Sequence, residues 1–196
     1  MEKINFIKTF IPQGDFREKY EHGGMMVRHL AAVLDEKMGA YECYECTVPI
    51  GEYDEGEIQK AFIEFTAKMD ALKLKQAKVD KIAEIAAYDT SSSVNGFVLN
   101  GLLVWLDKAT RVGLMNSTTI AKAAGKQTTT LWLGGLKLVV DCDKAIQLLS
   151  ALEMYALECF NVTASHKQAV SELTTIEEVK AYDYKAGYPK MLEISI

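Results

Sequence analysis

The sequence predicts an α+β fold: a long coiled-coil-like helix toward the N-terminal side, followed by two β-hairpin-plus-helix units that form a small antiparallel sheet with helices packed on it. Three observations predict it. Residues Glu55 to Tyr88 contain no proline and no glycine after Gly56, and their apolar positions recur at steps of four and three. The second half twice repeats two short apolar runs around a turn dipeptide, then a capped helical stretch. Hydrophobic residues make up 49% of the 196, enough for a packed core. Three segments follow: a small N-terminal α/β segment over 1–54, the long helix over 55–89 and an α+β domain over 90–196.

Within the first segment, Ile4 to Pro12 alternates apolar and polar residues and reads as a short strand. Gly23-Gly24 breaks the chain. Met25 to Met38 reads as an amphipathic helix with Met26, Leu30, Val33 and Leu34 on one side, stopped by Gly39. Tyr41 to Ile50, rich in aromatic and β-branched residues, reads as a strand, and residues 51–54 as a turn.

The long helix carries Ile58, Phe65, Leu72, Val79 and Ala86 at one heptad position and Phe62, Met69, Gln76 and Ala83 at the other. At 1.5 Å per residue it extends about 50 Å, longer than one small core covers. Two readings apply: a coiled coil joining copies of the chain through Ile58, Phe62, Phe65, Met69, Leu72, Gln76 and Val79, or a long helix packed on its own domain. In the first, Gln76 is a polar core residue that fixes register at a cost in stability. Asp89-Thr90-Ser91-Ser92-Ser93 ends the helix as a linker.

In the second half, Phe97-Val98-Leu99 and Leu102 to Leu106 flank Asn100-Gly101, whose residues tolerate the positive φ of a two-residue hairpin turn. Asp107 caps a helix that runs to about Ala124, closed by Gly125. Thr130 to Leu133 and Leu136 to Val140 flank Gly134-Gly135 in the same way. A second helix starts at Asp141 or Asp143 and runs beyond Phe160, toward Ala169. Neither hairpin buries its apolar face alone, so one four-stranded sheet under helices is expected. Thr174-Thr175-Ile176-Glu177-Glu178 has the form of a capped short helix.

Composition narrows the function classes. With 22 basic and 27 acidic residues the net charge is −5, which gives nucleic acid no clustered positive field. Lys68, Lys73, Lys75, Lys78 and Lys81 alternate with Asp70, Asp80 and Glu84 and read as a solvated helix face. No run of about 18 apolar residues is present, so no membrane span is expected. The opening Met1-Glu2-Lys3-Ile4-Asn5 lacks a basic-then-apolar layout. Cys43-Tyr44-Glu45-Cys46 reads as a zinc half-site, a redox pair or a strand with alternating faces; no histidine follows at zinc-finger spacing. His22 and His29 are separated by Gly23-Gly24, and His166 lies on the late helix. No phosphate loop, G-x-S-x-G or H-E-x-x-H occurs, so neither catalytic residues nor a cofactor or metal is expected. A small enzyme using Cys142 or Cys159 is the remaining catalytic reading. Trp105 and Trp132, at near-equivalent places in the two hairpins, read either as paired core aromatics or as a sugar- or peptide-stacking platform.

A family resemblance rests on Lys81-Ile82-Ala83-Glu84-Ile85, Trp105-Leu106-Asp107-Lys108-Ala109-Thr110-Arg111, Thr128-Thr129-Thr130-Leu131-Trp132, Ala164-Ser165-His166-Lys167 and Tyr182-Asp183-Tyr184-Lys185-Ala186-Gly187-Tyr188-Pro189. From about residue 81 to 189 the chain resembles the phage and prophage family known as domain of unknown function 4376. That resemblance implies a phage tail-associated α+β domain over the second half and brings no catalytic residues with it. It implies a non-enzymatic structural protein of the virion, a tail- or tail-fibre-associated adaptor assembled in the bacterial host cytoplasm; the alternative is a fibre assembly chaperone that is not retained in the particle. The expected partners are itself, as a homo-oligomer, and other phage tail or fibre proteins. The three-fold symmetry of fibres implies a trimer, while the heptad pattern itself leaves two or three strands open.

Overall fold

A computed structural model describes residues 4–196, which form two compact units: one ends at Lys73, the other spans Leu74–Ile196. In the first, β1 (Ile7–Pro12), β2 (Lys19–His22), β3 (Met25–Asp35) and β4 (Ala40–Pro49) pair antiparallel in the order β1-β4-β3-β2. This corrects the expected α/β segment, because Met25 to Met38 is mostly strand and not helix. The cause of the misreading is a bulge. One extra residue sits between Leu30 and Val33 in β3, where Ala31 takes φ 51°. The bulge keeps Met26, Leu30 and Val33 on one face at steps of four and three, which imitates a helical period.

The helix α1 (Glu55–Asp89) starts in this unit. Asp54 and Glu57 cap it reciprocally, each backbone N–H donating to the other's carboxylate at 2.9 and 2.8 Å. Its first turns lay Ile58 and Phe62 on Met26, Leu30, Cys46 and Val48. Phe6, Tyr44, Phe62 and Phe65 extend this core as an aromatic cluster, with ring centroids 5.2–6.4 Å apart. On the opposite sheet face Phe16 stacks on Tyr41 at 4.1 Å, and His29 is buried. The His29 Nδ1 meets the Arg17 carbonyl, and its Nε2 lies 3.1 Å from Glu45 Oε2. Both partners only accept, so both contacts are hydrogen bonds when the ring carries both protons.

The second unit contains the rest of α1, then α2 (Ser92–Asn95), β5 (Gly96–Leu99), β6 (Leu102–Trp105), α3 (Lys108–Ala123), β7 (Thr128–Leu133), β8 (Leu136–Asp141), α4 (Cys142–Glu172), α5 (Ile176–Ala181) and β9 (Leu192–Ile194). Both hairpins turn where expected, with φ 49° and 81° at Asn100 and Gly101, and 58° and 85° at Gly134 and Gly135. Asp107 caps α3 and Asp141 caps α4 through their side chains. The single four-stranded sheet, however, does not form. The β9 strand pairs parallel with β5 to give the order β6-β5-β9, and β7-β8 stands as a separate sheet. The physical reason is that β9 takes the free side of β5, while the second hairpin meets the first through its turn: a Cβ at Gly134 would lie 3.1 Å from Val104 Cγ1. The two hairpins still share one core, in which Phe97, Leu99, Val104, Leu131 and Leu133 pack with Leu149 and Leu152 of α4.

The end of α1, α4 and the C-terminal tail meet in a second cluster. Ile85, Val170 and Val179 are its buried centre. Elsewhere on α4, Thr163 Oγ1 donates to Asp89 at 2.7 Å and lies 2.9 Å from the hydroxyl of Tyr188, which packs beside Val94, Tyr155 and Cys159. The His166 Nε2 donates to the Ala186 carbonyl at 2.9 Å, and its Nδ1 lies 2.8 Å from the Tyr182 hydroxyl. No helix among the described residues is long and apolar enough to cross a membrane.

Candidate functional site

The seam on α1 does not behave as one surface. Ile58 and Phe62 are buried in the first unit's own core, and Phe65 and Met69 are half-buried. Leu72 and Val79 are each 52% exposed. Gln76 is also exposed and donates to Asp80 at 2.7 Å, one helical turn away. Within the second unit α1 turns other residues inward: Ile85, with Leu74, Ala77 and Ile82 beside it. Both patterns are present in the sequence, but the heptad reading follows only the first. The open part of the seam is therefore Leu72 and Val79, flanked by Lys73 and Lys75.

The second unit also carries a cleft of 430 Å³ formed by β6, the start of α3 and the middle of α4. Trp105, Leu157 and Phe160 supply its apolar lining, and Asp107, Arg111 and Glu153 its charged lining. Arg111 donates from Nε to Glu153 Oε1 at 2.9 Å and from Nη1 to the Leu106 carbonyl at 2.7 Å. The Asp107 carboxylate caps α3 by accepting from the Thr110 N–H and hydroxyl at 2.8 and 2.7 Å, bonds that hold its carboxyl below the usual range. The two tryptophans are not paired core aromatics. Trp105 is 41% exposed and Trp132 59%, and the Lys137 ammonium lies 6.0 Å from the Trp132 ring. Each occupies the outer face of its hairpin, while Val104, Leu131 and Leu133 fill the inner one. Sequence reasoning missed the cleft because Glu153 and Phe160 of α4 lie more than forty positions from Trp105 and Arg111.

The cysteines are structural in their surroundings. Cys43 and Cys46 are buried, and three residues apart in an extended strand they face opposite sides of the sheet, which prevents them from gripping one ion. Burial raises both thiol pKa values. Cys142 donates to the Lys126 carbonyl and Cys159 to that of Val94. Burial raises the Cys159 pKa as well, which disfavours the reactive thiolate. Among the described residues no group of three or more His, Cys, Asp or Glu is placed to hold a metal.

The geometry defines an α+β protein in which Leu72 lies open on the first unit's part of α1, Val79 lies open on the second unit's part, and an aromatic-edged cleft lies within the second unit. Residues 76–186 match the family described as domain of unknown function (DUF4376), and the chain belongs to that family. No curated protein and no solved structure matches it. The matched segment holds the cleft, both hairpins and the cluster around His166.

Proposed function

We propose that this protein is a non-enzymatic structural adaptor of a phage tail or tail fibre that assembles as a homo-oligomer through α1. The observation that carries the reading is the exposure of Leu72 and Val79 at consecutive like positions of the heptad. Two large aliphatic side chains open to water on one helix lose hydration cost when a second copy covers them, at about 25 cal/mol per Å² of apolar surface buried. The tail context comes from the family resemblance. The means of self-association are Leu72 with Met69 and Phe65 on the first unit's part of α1, and Val79 beside Gln76 on the second unit's part. A trimer follows from the symmetry of tail fibres.

Light scattering of the purified full chain tests the assembly. The wild-type chain is expected to run as an oligomer, and Leu72→Asp combined with Val79→Asp as a folded monomer. A wild-type monomer at high micromolar concentration would sink the proposal. Mass spectrometry of purified particles tests the location. A stoichiometric band is expected of a virion component, whereas absence from particles that need the protein for assembly identifies a chaperone instead.

A further inference from the structure

The cleft has a feature that self-association does not use. The Arg111 side chain is only 10% exposed, yet its guanidinium is not fully occupied. Nε and Nη1 each have an acceptor, in Glu153 and Leu106. Among the described residues Nη2 has none. Arg111 is one of the residues that line the cleft. A guanidinium edge held by two hydrogen bonds is preorganised for a planar anion. Next to it lie Trp105, Leu157 and Phe160, all substantially exposed, and Lys108 at the mouth. Asp89, Asp107 and Glu153 line the same cleft. Their field penalises a dianion such as a phosphate monoester more than a single negative charge.

We propose that the cleft is a ligand site for a monocarboxylate carried on a large apolar body. The carboxylate takes the open edge of Arg111, and the body lies against Trp105, Leu157 and Phe160. Its volume falls within the range of about 300–1,000 Å³ typical of small-molecule sites. The same chemistry is offered by a free aromatic or aliphatic acid and by the C-terminus of a protein chain that ends in a large apolar residue. This inference is independent of the assembly reading, because none of its residues belongs to the α1 stripe.

The test is fluorescence titration of the full chain with 1-pyrenebutyrate and, separately, with its primary amide. The acid is expected to bind at least about ten-fold more tightly than the amide, since a charge-assisted bond is replaced by a neutral one. Arg111→Gln together with Glu153→Gln, which retains a neutral hydrogen-bonding pair, should erase that preference. Phe160→Ser, at an exposed position, should weaken both probes and keeps the test open if the double variant does not fold. A tetrapeptide ending in Phe, with its carboxylate free or amidated, separates the sources: preference for the free form assigns a chain end, and pyrenebutyrate binding alone assigns a small acid. Equal affinity for acid and amide in the wild-type chain, a preference that survives loss of Arg111, or failure of every probe to bind at millimolar concentration each overturns the proposal.

Discussion

The Tyr155 hydroxyl donates to the Val94 carbonyl at 2.7 Å inside the second unit, and burial together with nearby Cys159 pushes its pKa up to about 12. Tyr155→Phe leaves that carbonyl with only the Cys159 thiol and is expected to cost about 1 kcal/mol, read from urea unfolding at pH 7. The sign of the pH effect follows from the shift. A phenol that ionises near 10 when unfolded and near 12 when folded adds stability that is complete below 10 and is lost as pH rises toward 12. Wild-type stability should thus fall between pH 10 and 12, and Tyr155→Phe should flatten that fall. Some single residues were legible in advance. Asp107 and the Thr175–Glu178 box cap helices as their spacing predicts, because capping is local chemistry. Arg111 was not legible, since its partner Glu153 is 42 positions away.

Local rules also govern the hairpin turns. Gly134 needs a positive φ and additionally lies against Val104, so Gly134→Ala combines backbone strain with a close contact. It should destabilise by about 1–2 kcal/mol or more. Asn100→Gly keeps the positive φ of 49° but removes the side-chain oxygen that accepts from the Ile196 N–H at 3.0 Å, and should cost no more than about 1 kcal/mol. Equal effects in denaturant titration would refute the role assigned to the Val104 contact. The strand β3 shows where local rules mislead. Met26, Leu30 and Val33 have helical spacing, yet the sheet absorbs it with one bulged residue at Ala31. The strand β9 gave no comparable signal: three residues pair parallel with β5 across more than ninety positions, and only tertiary structure brings them together.

For the whole molecule, α1 serves two kinds of burial, and the variants should divide accordingly. Phe62→Ala removes a ring from the first unit's core and is expected to cost about 3–5 kcal/mol without changing oligomeric state in the folded protein. Leu72→Asp and Val79→Asp should change oligomeric state with little loss of secondary structure by circular dichroism, because both side chains are already half in solvent. If Phe62→Ala dissociates the protein, or if the aspartates unfold it, the division of the seam between core and open stripe is wrong.

The sequence by itself determined α1, α3, α4 and α5, the cap at Asp107 and the two hairpin turns, because each depends on residues within a few positions of one another. It also carried the Ala-x-His-Lys and Tyr-Asp-Tyr segments on which the family resemblance was read, and the structure joins them through His166, Tyr182 and Ala186. Tertiary structure decided the rest. It assigned Ile58 and Phe62 to a core and Leu72 and Val79 to the surface, placed the two hairpins in separate sheets over a shared core, and turned both tryptophans outward. Periodicity specifies which residues share a helix face or a strand face, but what covers that face depends on long-range packing that no local pattern encodes.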